Sequence, residues 1–147
     1  MKYISHRGNT HGMSKKENHP DQVAFCIKQG YDVEIDLRLI NNILYLGHDK
    51  PLYEISDMFL INHKESLWLH CKNLEAIRFM QQYENLNYFW HQTDDFTLTS
   101  KKFIWTYPGK NITSNSVIVC ESKKETKRVI ENKKVYGICS DYLGFFI

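Results

Sequence analysis

Long apolar runs are missing from this chain. No stretch approaches the roughly 20 apolar residues that a membrane-crossing helix needs, and Met1-Lys2-Tyr3-Ile4-Ser5 leads straight into polar residues with no apolar leader. Neither insertion nor export is expected, and a cytoplasmic location is. Cysteine is sparse and scattered. Cys26, Cys71, Cys120 and Cys139 stand singly within apolar segments, without the close spacing of a zinc knuckle or redox pair. They read as reduced core thiols. A charge excess is absent too. The formal net charge is +2, and Lys123-Lys124 and Lys133-Lys134 flank an amphipathic helix as its solvated face, so no nucleic-acid surface is expected. Repeats and low-complexity linkers are also lacking, which leaves residues 1–147 as one domain.

What is present is an ordinary globular composition, 42% hydrophobic and 14% aromatic. Strand-like and helix-like segments alternate. Tyr3 to Ser5 reads as a short strand, and Pro20 opens a helix that runs to Gln29 and stops at Gly30. Tyr31 to Leu39 and Ile43 to Leu46 read as a hairpin about an Asn41-Asn42 turn. Ile55 to Ile61 is a short helix with Ser56 as a candidate cap, and Leu74 to Tyr83 carries helical spacing. Further strands are expected at Leu67–Cys71, Asn87–Trp90, Phe103–Trp105, Ser116–Cys120 and Val135–Cys139, with a helix over Glu121 to Asn132. Such alternation implies a mainly parallel sheet with right-handed crossovers.

Parallel sheets collect chemistry at the carboxyl ends of their strands. The polar residues of this chain fall there: His6 and Arg7, Glu34 and Asp36, His70 and Lys72, His91, Thr106 and Tyr107, Glu121, Ser140 and Asp141. Glu34 and Asp36 lie two residues apart, so their carboxylates share one face of a strand and can grip one hard cation. His6 and His48 can move protons, and Arg7 can hold an anion. Together these are tools for metal-assisted cleavage of a phosphodiester.

In order along the chain, His6-Arg7-Gly8, Glu17-Asn18, Gly30-Tyr31-Asp32-Val33-Glu34-Ile35-Asp36, Gly47-His48-Asp49 and Gly137-Ile138-Cys139-Ser140-Asp141 resemble the glycerophosphodiester phosphodiesterase family. That family belongs to the wider phosphatidylinositol-phospholipase-C-like phosphodiesterases. The resemblance implies an α/β TIM barrel with a divalent ion at its mouth. It makes Glu34 and Asp36 metal ligands, His6 and His48 the acid–base pair, and Arg7 and Lys72 phosphate contacts. Trp105 resembles the tryptophan that lines the family's pocket.

Two departures stand out. Family members carry a further glutamate two residues before the lysine, where this chain has His70, and an Asn-Thr after the first glutamate, where it has Asn18-His19. With His70 as third ligand the site would take Mg²⁺ or Ca²⁺ less well and favour Mn²⁺ or Zn²⁺. A full barrel also takes about 250 residues. A minimal or incomplete barrel is therefore expected, with reduced outer helices and bare strand faces covered by loops or a second subunit.

Other residues admit two readings. Glu17 is a solvated loop carboxylate or a support for Arg7 or a metal-bound water. Asp49 and Asp141 are further supports, Asp141 either for a strand end or for His6. His91 and Tyr107 form a substrate wall, or else Asp94 or Asp95 caps a helix and Pro108-Gly109 is only a turn. The expected partner is a small soluble diester, glycerophosphodiester-like or built on a sugar or polyol. The alternatives are a catalytically silent module binding a sugar phosphate, and a transferase or cyclising lyase on the same site.

Overall fold

A computed structural model describes residues 1–147. Its strands are β1 (Lys2–His6), β2 (Asp32–Ile40), β3 (Ile43–Leu46), β4 (Tyr53–Ile55), β5 (Leu67–Cys71), β6 (Asn87–Trp90), β7 (Phe96–Leu98), β8 (Ile104–Thr106), β9 (Ser116–Cys120) and β10 (Gly137–Ser140). Four helices accompany them: α1 (Pro20–Lys28), α2 (Asp57–Asn62), α3 (Leu74–Met80) and α4 (Lys123–Asn132). Each starts on a side chain that accepts a free first-turn N–H: His19, Ser56, Asn73 and Ser122 respectively. No helix is long and apolar enough to cross a membrane.

The strands form one curled sheet. Parallel pairing runs β6–β5–β2–β1–β10–β9–β8, with β3 and β4 added antiparallel beyond β2 and β7 antiparallel on β8. The expectation of a parallel sheet is corrected on this point: the sheet is mixed. Its antiparallel strands come from the hairpin at Asn41-Asn42, both in the left-handed region at φ 50° and 63°, and from two three-residue strands too short for a sequence pattern to register. No helix lies between β6 and β8 or between β8 and β9, so the outer ring is trimmed.

The curl brings the two ends of the sheet, β6 and β7, together without a ladder between them. Instead, Ser100 N–H donates to the Tyr88 carbonyl (2.8 Å), Tyr88 N–H donates to Ser100 Oγ (3.0 Å), and Thr97 Oγ1 donates to the Trp90 carbonyl (2.8 Å). Phe89 and Trp105 stack across this seam with centroids 4.5 Å apart. The result is a partial barrel.

Strand alternation sorts the side chains. Val33, Ile35 and Leu37 point outward and join Val23, Leu60, Leu69, Ala76 and Met80 in the larger core beneath α1, α2 and α3. Ile4, Trp68, Phe89, Trp105, Val117 and Cys139 fill the barrel as an apolar floor. Two residues further along, the same strands carry His6, His70, His91, Tyr107, Val119 and Asp141. The floor thus holds up a mouth at the carboxyl end, as expected from the sequence.

The loop after β3 depends on Gly47. Its φ is 150°, and a Cβ there would lie 2.1 Å from the Lys50 carbonyl oxygen. Gly30, at φ 93°, has open space around it. Gly47→Ala should lower unfolding free energy by roughly 2 kcal/mol or more, and Gly30→Ala by only about 1 kcal/mol. Urea unfolding checks the order, and equal stability of G47A and wild type would contradict the loop geometry.

Candidate active site

Glu34 and Asp36 share the inner face of β2 and are almost completely buried, 1% and 0% exposed. Two ionised carboxylates there need cationic or hydrogen-bonding neighbours. Three sources supply them. From β5, in register opposite Asp36, His70 places Nδ1 3.5 Å from Glu34 Oε1 and 3.4 Å from Asp36 Oδ1. From the end of β1, Arg7 sets Nε 3.0 Å from Asp36 Oδ2, and Lys72, just past the end of β5, brings Nζ to 3.8 Å from Asp36 Oδ1. From the loop before α1, Asn18 donates through Nδ2 to Asp36 Oδ2 and accepts the Asp36 N–H on Oδ1, both at 2.9 Å.

Local backbone explains how Arg7 reaches back over the sheet. Arg7 and Gly8 both lie in the left-handed region, at φ 53° and 84°, so the chain turns sharply at the strand end. Arg7 N–H is fixed on the Glu34 carbonyl (2.9 Å), and Asn18 N–H on the Arg7 carbonyl (2.9 Å). Gly8 also packs against Gln22, whose Cγ would sit 3.1 Å from an added Cβ. The exchange at His19 is explained as well: its Nδ1 caps α1 by accepting the Asp21 N–H at 3.2 Å.

His6 stands beside the carboxylates, with Nδ1 3.0 Å from Asp141 Oδ1 and Nε2 3.8 Å from Glu34 Oε2. Asp141 thus supports His6, rather than only a strand end. Glu17 is no free loop carboxylate; it meets Arg7 Nη1 at 3.3 Å and Asn9 Nδ2 at 2.9 Å. His48 faces the same cavity from the β3–β4 loop, with Nδ1 2.6 Å from Asp49 Oδ1. Asp49 itself is exposed and meets the site only through His48.

Of these, His6, Arg7, Glu34, His48, His70, Lys72 and Asp141 line a cavity of about 640 Å³, with Met13, His91, Trp105, Tyr107 and Tyr142 among its other walls. Trp105 is buried and belongs mainly to the floor. His91 and Tyr107 stand on the wall, their rings 6.0 Å apart. No helix begins at Asp94 or Asp95; Asp94 accepts the Gln92 N–H and Asp95 pairs with Lys110. The sequence reading missed Asn9 and Asn18 as site residues. Asn18 was within reach, since it adjoins Glu17 in a quoted motif.

Burial and charge set the protonation states. Burial alone would raise the Asp36 carboxyl, but the His70 hydrogen bond and the Arg7 charge hold it well below the usual carboxylate range. Burial opposes a charge on His70, yet its bonds to Asp36 and Glu34 prevail and raise it to about 9. His6 is likewise raised: burial works against it, and Asp141 and Glu34 outweigh burial. His91 is lowered by burial and by the neighbouring His70 and Lys72 cations.

The donor set fits a divalent ion. One ligand atom each from Glu34, Asp36 and His70 lies within 4.8 Å of the others. Glu34 Oε2 and Asp36 Oδ1 are buried with only longer contacts, to His6 (3.8 Å) and to His70 (3.4 Å) and Lys72 (3.8 Å) respectively, and a cation would satisfy both oxygens more closely. The other nitrogen of His70, Nε2, lies 3.0 Å from the His91 carbonyl. Donation there orients the ring, so that loss of the Nδ1 proton would turn that nitrogen's lone pair toward an ion, as in ligating histidines generally. Stacking on Phe89, 5.0 Å away and 10° from parallel, holds the ring.

Without an ion, protonated His70 takes the cation's place. Its raised value means that the stability it contributes is complete below the ordinary 6.5 and is lost as pH rises through about 9. Melting temperature of the metal-free protein should fall across that window, and less so in His70→Gln. An imidazole NMR titration placing His70 at its ordinary value would contradict this.

No protein-family model and no curated protein matches the sequence. Among solved structures, the fold is similar to the crystal structure of a glycerophosphodiester phosphodiesterase from Agrobacterium tumefaciens str. C58, with a TM-score of 0.60 and 14% identity over 99% of this chain and 98% of that one. Over nearly its whole length the chain has the fold of that glycerophosphodiester phosphodiesterase.

Proposed function

We propose that this protein is a metal-dependent phosphodiesterase acting on a small soluble diester. The observation that carries the proposal is the convergence at one barrel mouth of buried carboxylate oxygens with only long contacts, an oriented His70 ring and a His6–Asp141 pair. Glu34, Asp36 and His70 would hold the ion, whose imidazole and carboxylate donors favour Mn²⁺ or Zn²⁺ over Ca²⁺. When bound, it supplies charge neutralisation to the phosphate's non-bridging oxygens.

This chain's own groups do the rest. Arg7 and Lys72, held by the buried carboxylates, offer positive charge to the phosphate as negative charge develops there. Asp141 accepts from His6 Nδ1 and leaves Nε2 to take or give a proton inside the cavity. His48, oriented by Asp49 on the facing loop, serves as the second proton-transfer group. His91 and Tyr107 bound the space for the alcohol groups. A proton shuttle braced by a carboxylate distinguishes this reading from a silent phosphate-binding module, which has no need of one.

The test is hydrolysis of bis(p-nitrophenyl) phosphate with and without Mn²⁺. Wild type should turn over with the metal and stop on chelation. His6→Ala and His48→Ala should each lose about a hundredfold or more in kcat with unchanged circular dichroism. Full activity in either variant, or no metal dependence, would overturn the assignment. Ion binding should also displace the His70 proton at neutral pH, releasing about one proton per Mn²⁺. Calorimetry in buffers of different ionisation enthalpy reads that number, and a value near zero would remove His70 from the ligand set.

A further inference from the structure

The polar contacts around the mouth close into a ring. From His70 they pass to Asp36 (3.4 Å), Arg7 (3.0 Å) and Glu17 (3.3 Å). Asn9 Nδ2 then bridges Glu17 Oε1 (2.9 Å) and Asp141 Oδ1 (2.8 Å). From Asp141 the ring continues to His6 (3.0 Å), Glu34 (3.8 Å) and back to His70 (3.5 Å). Donors and carboxylates alternate throughout. Every donor position belongs to a cation or a histidine except one, where Asn9 stands.

Asn9 is 2% exposed. Its main chain is pinned on both sides, N–H to the His6 carbonyl (2.8 Å) and carbonyl to Ser5 Oγ (2.8 Å). Both hydrogens of its amide nitrogen are engaged by carboxylates, whereas its Oδ1 is buried with no partner. The opposite amide orientation would set Oδ1 against two carboxylates, so charge fixes which end points where. An amide that leaves its own oxygen unsatisfied to hold two acids together is placed for its nitrogen.

We propose that Asn9 is a positioning residue that couples the phosphate side of the site to its proton-transfer side. By holding Glu17 it keeps Arg7 aimed; by holding Asp141 it keeps His6 aimed. Without its nitrogen, the two carboxylates face each other with nothing between them. Each is then free to leave its cation. The catalytic consequence rests on the phosphodiesterase reading, but the coupling itself does not.

The decisive comparison is Asn9→Asp against Asn9→Ala. N9D keeps the shape and places a third acid between two others; N9A merely removes the bridge. A positioning role predicts that N9D is the worse variant, with kcat down and KM up by roughly tenfold to a hundredfold together. A packing role predicts the reverse, N9D near wild type and N9A the poorer.

A second readout needs no turnover: the NMR resonance of the His6 Nδ1 proton, assigned by its loss in H6A. It should disappear or shift strongly in both variants, and Asn9→Ser, with one donor, should lie between N9A and wild type. If N9D does not fold, N9A and N9S still decide. If wild type does not hydrolyse the diester, the resonance alone decides, and only the phosphodiesterase reading falls. An unaltered His6 resonance in N9A, or N9D kinetics within twofold of wild type, overturns the proposal.

Discussion

Two carboxylates, Glu34 and Asp36, are buried side by side on one strand, and the rest of the mouth answers to that fact. An unpaired buried charge is among the most expensive things a fold can contain. His70 and Lys72 from β5 and its end, Arg7 from the end of β1 and Asn18 from the loop before α1 all reach Asp36, and His70 and His6 reach Glu34. The left-handed turn at Arg7-Gly8 exists to return a guanidinium over the sheet. The same negative charge that demands these partners would attract a divalent ion and raises the histidines beside it.

A trimmed barrel can support this because the site needs strands more than helices. Parallel register sets one inward side chain per strand as floor and the next as mouth. Ile4 lies beneath His6, Trp68 beneath His70, Phe89 beneath His91, and Cys139 beneath Asp141. Helices α1, α2 and α3 cover the outer face of β2 and β5, the strands whose inner faces carry the carboxylates and His70. The side without helices, between β6 and β9, carries His91 and Tyr107 on the cavity wall instead. Its seam holds through a few hydrogen bonds and the Phe89–Trp105 stack.

Much of this was legible from residues alone. Pro20 opens α1, Ser56 caps α2, and Asn41-Asn42 turns the hairpin, because local chemistry decides all three. The strand-end polar residues converge because a parallel sheet leaves them no other place. The antiparallel additions were not legible: β4 and β7 are three residues long and half exposed, so no alternation marks them. Nor was the role of Asn9, since it depends on a contact 132 residues away in sequence. Asp49, next to a site histidine in sequence, meets His48 Nδ1 at 2.6 Å while its own side chain stays exposed.

The account stands or falls on what the paired carboxylates hold. A crystal structure of the protein with Mn²⁺ and inorganic phosphate, read by anomalous scattering at the manganese edge, addresses that directly. The account predicts one anomalous peak bonded to Glu34, Asp36 and His70 Nδ1, with phosphate against Arg7 and Lys72. No peak there, with His70 still closed on both carboxylates, would contradict it.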